Sequence, residues 1–130
     1  MGNLTKKLKN RCIRPIYLAG HSAGSQICAM ILGSKWFGEL PNTDKNLFKG
    51  VFHLSGIFHL PPLLETSINN VLKMDQYEAE NMSPLLWIKK FSDNFIELKE
   101  NIKIYVIIAE NDSPIFKSQG KDYVHKVILQ

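Results

Sequence analysis

One pentapeptide, Gly20-His21-Ser22-Ala23-Gly24, restricts the folds open to this chain more than any other stretch. It follows directly on the apolar run Ile16-Tyr17-Leu18-Ala19, itself preceded by Pro15, and leads directly into Ser25-Gln26-Ile27-Cys28-Ala29-Met30-Ile31-Leu32. A short continuous apolar run suits a strand buried on both faces. The segment after the serine carries small residues that permit close approach to a sheet, and its Ile27, Met30 and Ile31 share one face at helical spacing. Gly33 then stands where a C-cap is expected. A strand that turns into a helix within about two residues strains the residue between them, and Gly20 and Gly24 are expected to remove side chains that would collide there. The Ser22 hydroxyl would project above the sheet, with the Ala23 N–H at the helix N-terminus aimed at a developing oxyanion. The letters alone leave open an ordinary glycine-rich turn without chemistry.

Two further apolar runs, Val51-Phe52-His53-Leu54 and Ile102-Lys103-Ile104-Tyr105-Val106-Ile107-Ile108-Ala109, read as strands. Between them, Leu60 to Lys99 reads as irregular turns and short helices broken at Pro61-Pro62 and Ser83-Pro84, and a last helix is expected from Ile115 to Val127. Strands alternating with helical segments predict an α/β fold with parallel strands and flanking helices. At 130 residues and 45% apolar content, without internal repeats, the chain has the size of one domain or part of one.

The formal net charge of +4 is concentrated in Lys6, Lys7, Lys9, Arg11 and Arg14, while Lys89, Lys90, Lys99 and Lys103 are interleaved with acids. With no aromatic-basic platform in the linear sequence, this pattern predicts solvated faces and no nucleic-acid partner. No window approaches the eighteen or so apolar residues of a membrane span, and Lys6 occupies the Ser/Thr position of a myristoylation motif begun by Gly2. Cys12 and Cys28 form no disulfide framework, which fits a reducing, cytoplasmic setting. No H-E-x-x-H, paired-cysteine or phosphate-loop pattern occurs, so neither metal nor cofactor is expected.

A serine nucleophile needs a base to take its proton and an acid to orient that base. Asp112 is the natural acid, because it follows the strongest strand at the edge where ligands bind in α/β sheets, with Glu110 as the backup. Capping of the helix that starts at Pro114 is the alternative role for Asp112. The base is harder to find. His21 is the variable position of the pentapeptide, His53 lies inside a strand, His59 precedes Pro61-Pro62, and His125 follows Asp112 by only thirteen residues.

Four segments together resemble the kynurenine formamidase (arylformamidase) family of α/β-hydrolases: Leu18 to Gln26, Leu54-Ser55-Gly56-Ile57-Phe58-His59-Leu60-Pro61-Pro62-Leu63, Asn81-Met82-Ser83-Pro84 and Asp112-Ser113-Pro114-Ile115-Phe116. The resemblance covers nearly the whole chain and implies that residues 1–130 form a partial α/β-hydrolase domain, matching the family's C-terminal half. It implies Ser22 as nucleophile, Asp112 as triad acid and Ala23 N–H as an oxyanion donor. The implied reaction is cofactor-free hydrolysis of N-formyl-L-kynurenine to kynurenine and formate in tryptophan breakdown, in the cytosol. The family's H-G-G-x-W segment and catalytic histidine would lie outside this chain, so the chain alone is expected to be inactive and to associate through the exposed edge of its first strand, as a possible homo-oligomer. A related carboxylesterase or lipase-like hydrolase, or a non-catalytic truncated product, are the other readings. Phe58, Leu60 and Trp87 are candidates for an aryl pocket and equally for core or lid positions.

Overall fold

The computed structural model describes the backbone of residues 14–90 and 92–129, and their side chains except those of 89 and 92–96. Cys12 and the basic positions Lys6, Lys7, Lys9 and Arg11 lie outside the described residues. Three strands, β1 (Ile16–His21), β2 (Phe48–Leu54) and β3 (Lys103–Ile107), form a parallel sheet in the order β1-β2-β3. The α/β class read from the alternating pattern is therefore present.

The ladder is regular except at the start of β1. Ile16 pairs with Phe48 but Tyr17 pairs with Gly50, leaving Lys49 as the unopposed residue of a bulge. The Tyr17 ring lies over Gly50, where an added Cβ would come within 2.9 Å of Cδ1. β3 is shorter than the apolar run suggested. At its start, Ile102 closes the preceding helix, its N–H donating to Leu98 O at 2.8 Å. At its end, Ser55 leaves β2 with φ 47° and its N–H takes the Ile107 carbonyl at 2.8 Å, so no β2 residue remains to pair with Ile108 or Ala109.

Helix α1 (Ala23–Leu32) follows β1, and short helices α2 (Lys35–Gly38) and α3 (Asn42–Lys45) lead into β2. Between β2 and β3 come a 3-10 turn (Pro61–Glu65) and helices α4 (Asn69–Leu72), α5 (Gln76–Asn81), α6 (Pro84–Lys90) and α7 (Ser92–Asn101). The last helix, α8 (Pro114–Val127), follows β3. Gly33 is the C-cap of α1 as expected, but in right-handed geometry.

The buried face of α1 differs from the expected one. Ser25, Cys28, Ala29 and Leu32 are buried, whereas Ile27 is 57% exposed. The turn at Ser22 fixes the phase of the helix by setting Ser25 against the sheet, and the spacing i, i+3, i+4, i+7 then follows from Ser25. The small residues make the close approach and the larger Ile27 points away. The main core joins this face to Val51, Phe58, Leu85, Ile88, Leu98, Tyr123 and Val127, with Leu18, Ile104 and Val106 packed against it. The opposite sheet face carries Tyr17, Phe52, Leu54, Tyr105 and Ile107, and Tyr17 and Tyr105 are 57% and 43% exposed.

Candidate active site

Because all three strands run in parallel, their C-terminal ends share one edge, and the chemistry-bearing residues gather there. Ser22 comes immediately after β1 and is the N-cap of α1, with φ 55° and ψ −115°. Its N–H donates to Leu54 O at 2.9 Å, which ties the turn to the neighbouring strand end. A non-glycine residue held at positive φ between strand and helix is the strained geometry that the pentapeptide predicted. Gly20 makes it possible: a Cβ there would lie 2.2 Å from Gly24 O. Gly24 does not share that role, since a Cβ at this position would meet nothing within 4 Å among the described residues. Its absent side chain is not what lets the turn close. Ala23 opens α1, so its N–H belongs to the first turn, where no intrahelical acceptor exists.

Asp112 lies beyond β3 at the same edge of the sheet. Its Oδ2 accepts the Ala109 N–H at 2.9 Å. The adjacent Ser55 hydroxyl and this Ala109 N–H hold its carboxyl below the ordinary aspartate range, with smaller contributions from Lys117 and His21. The carboxylate is thus ionised at neutral pH, as a triad acid must be. The capping alternative does not hold, because Ser113 is the N-cap of α8, its Oγ accepting from Phe116 N at 3.3 Å. Glu110 is exposed in the turn before Asp112.

The histidines are dispersed. His21, the last residue of β1, is near enough to Asp112 to affect its charge. His53 is fully buried and its Nδ1 lies 2.9 Å from Ser25 Oγ, so it braces the first turn of α1 from behind. Burial lowers its pKa to about 4, with the Ser25 backbone opposing, and its Nε2 has no partner among the described residues. His59 also has a lowered pKa, chiefly from burial and secondarily from Lys126. His125 sits near the end of α8. Among the described residues, no hydrogen bond joins a histidine to Ser22.

Two of the aryl-pocket candidates are core residues. Phe58 is fully buried and stacked on Tyr123 at 4.1 Å between centroids, and Leu60 belongs to a second cluster with Leu63 and Ala79. Trp87 is half-buried, its indole N–H donating to Asn81 O at 2.7 Å. Local pattern carries no sign of the polar clamps on the loop after β2. Gln119 Oε1 accepts from Phe58 N and His59 N at 2.9 and 3.0 Å while its Nε2 donates to His59 O. Ser83 Oγ accepts from Leu60 N and donates to Ala79 O. The bonds accepted from the Phe58, His59 and Leu60 N–H groups span 61, 60 and 23 residues, beyond the reach of local pattern. Among the described residues no cluster of His, Cys, Asp and Glu could hold a metal, and no helix is long and apolar enough to cross a membrane.

No family model matches the chain. Among known proteins, it is 39% identical over 111 residues to kynurenine formamidase of Salmo salar and 37% identical over 111 residues to that of Danio rerio. Each match takes in 85% of this chain, and the chain spans only 35% and 36% of the two relatives. Of solved structures, a thioesterase-like protein from Silicibacter sp. TM1040 superposes with a TM-score of 0.66 at 27% identity, covering 95% of this chain and 44% of that one. The resemblance read from the four segments is thus a measured similarity along most of the chain, and the α/β arrangement recurs in a hydrolase-like structure.

Proposed function

We propose that the C-terminal edge of this sheet is the nucleophile-and-acid portion of a serine hydrolase of kynurenine formamidase type. The single observation that carries the reading is the backbone of Ser22, held at positive φ between β1 and α1. In this reading Ser22 Oγ attacks the formyl carbon of an aryl formamide such as N-formyl-L-kynurenine, and a base takes its proton. The Ala23 N–H stabilises the tetrahedral oxyanion. The C–N bond then breaks as the base returns the proton to the leaving arylamine, and water releases formate from the formyl-serine. Asp112 orients and compensates the base. No cofactor takes part, and a cytosolic setting keeps buried Cys28 a thiol.

Because no histidine bonds Ser22 among the described residues, the reading also holds that the chain by itself turns over poorly. Loss of a triad member costs on the order of a million-fold in a comparable serine hydrolase. Each absent oxyanion donor costs roughly 3–4 kcal/mol. The test supplies the missing base from solution. The chain and its Ser22→Ala variant are treated with a fluorophosphonate probe, with and without imidazole, and assayed on N-formylkynurenine and an activated aryl ester. Imidazole-dependent labelling that maps to Ser22 is the expected result, with neither substrate hydrolysed above the Ser22→Ala rate in its absence. Labelling without imidazole would instead assign a base within the chain, with His21 the first to replace. If Ser22 stays unlabelled under every condition, the nucleophile assignment is wrong. Rescued hydrolysis of the ester but not the formamide would favour a carboxylesterase.

A further inference from the structure

Two adjacent strands end in the same way. Ser22 follows β1 at φ 55°, and its N–H donates to Leu54 O, the last carbonyl of β2, at 2.9 Å. Ser55 follows β2 at φ 47°, and its N–H donates to Ile107 O, the last carbonyl of β3, at 2.8 Å. Left-handed backbone is uncommon for a residue with a side chain, and strain of this kind collects at functional sites. Among the described residues one other non-glycine shares it, Lys73, which closes α4 in the left-handed geometry common at helix C-termini. The remaining two are both serines, one strand apart on the C-terminal edge of the sheet.

The turn accounts for the backbone of Ser55 but not for its side chain. Directly after it, buried Gly56 runs so close to α1 that an added Cβ would lie 2.4 Å from Ser25 Oγ and 2.5 Å from Phe58 Cζ. The chain must therefore bend sharply at residue 55, and glycine would do so with least strain. Serine brings a hydroxyl instead, and that hydroxyl donates to the carboxylate of Asp112. The Ala109 N–H holds the same carboxylate through Oδ2 at 2.9 Å. Donors from beyond two different strands thus fix the acid. A carboxylate accepts at about four lone-pair positions, so about two remain for a base. We propose that Ser55 is the positioning residue of the acid: its hydroxyl, carried on a strained turn, holds the Asp112 carboxylate in the orientation that receives the base. The role rests on the serine-hydrolase reading above, with Ser22 as nucleophile and Asp112 as acid. Ser55 touches no reacting atom and acts through Asp112.

Two substitutions separate the hydroxyl from the backbone. Ser55→Ala removes the hydroxyl and keeps the strain, whereas Ser55→Gly removes both. The side-chain carboxyl carbon of Asp112 is followed by NMR as pH is lowered, over the range in which circular dichroism shows each fold intact. In the unaltered chain its signal is expected to stay flat to lower pH than in either variant, because the variants lose the Ser55 hydroxyl while the Ala109 N–H, Lys117 and His21 stay in place. Stability should separate the two variants, with Ser55→Gly unfolding at higher urea than Ser55→Ala. Imidazole-dependent labelling of Ser22 by the fluorophosphonate should fall about tenfold in both. Asp112 titrating alike in all three chains overturns the proposal. So does a raised titration with labelling undiminished, which would make the contact purely structural. Absence of Ser22 labelling even in the unaltered chain overturns the serine-hydrolase reading beneath it, and the Asp112 titration then tells the two failures apart.

Discussion

Ser22 is a residue whose local conformation opposes stability. A non-glycine side chain at φ 55° costs of order 1–3 kcal/mol, and glycine relieves most of that at an entropic cost of about 0.4–1 kcal/mol. Ser22→Gly is therefore expected to raise unfolding free energy by about 1 kcal/mol in urea titrations while abolishing probe labelling, and a loss of stability would show that the turn is unstrained. His53 gives a pH-dependent counterpart. Its pKa falls from 6.5 to about 4 on folding, so below pH 6.5 the unfolded chain takes up a proton that the folded chain refuses. The stabilisation is complete above pH 6.5 and is lost progressively as pH falls to about 4, amounting to about 3 kcal/mol. In His53→Gln, denaturation midpoints should vary much less across that window; an undiminished slope would exclude His53 as the source. The serine was legible because its constraint is written in five adjacent letters. The role of His53 was not, because its partner Ser25 lies 28 residues away and only the fold brings the two to 2.9 Å.

Among the elements, the junction of β1 and α1 separates two glycines that look equivalent in the sequence. Gly20→Ala must push the α1 backbone away, since Gly24 O would lie 2.2 Å from the new carbon, and should cost at least about 2 kcal/mol. Gly24→Ala enters open space in the first turn of a helix and should be neutral or stabilising by up to about 1 kcal/mol. Equal losses in paired denaturation experiments would contradict this geometry. The α1 face shows the same limit on sequence reading: Ile27, Met30 and Ile31 do form a stripe, but the turn at Ser22, not hydrophobicity, decides which stripe meets the sheet. The loop after β2 depends on α8 in a similar way. Gln119→Leu strips the buried Phe58 N–H and the part-buried His59 N–H of their acceptor and should cost roughly 2–4 kcal/mol, measured as a lowered urea midpoint.

For the molecule as a whole, the apolar runs and the breakers between them were enough to read three parallel strands and the edge on which Ser22 and Asp112 stand. The boundaries of β3 were not readable, because they depend on where β2 stops pairing and on Leu98 closing the preceding helix. Among the described residues β1 borders only β2, and its amides alternate: Ile16 and Ser22 donate towards the neighbouring β2 side, so Leu18 and Gly20 donate inward while Tyr17, Ala19 and His21 face outward. Hydrogen exchange should accordingly be roughly a hundredfold or more faster at Tyr17, Ala19 and His21 than at Leu18 and Gly20. Uniform protection along the strand would mean that its outer edge is paired. The placement of the four tyrosines has a consequence of another kind. Tyr17 and Tyr105 flank the uncovered sheet face, Tyr77 is 75% exposed on α5, and Tyr123 is fully buried. The chain therefore carries its own footprinting set for ring nitration: Tyr123 stays unmodified while the fold is intact, Tyr77 calibrates the reagent, and the yield at Tyr17 and Tyr105 relative to Tyr77 reads directly whether anything covers that face.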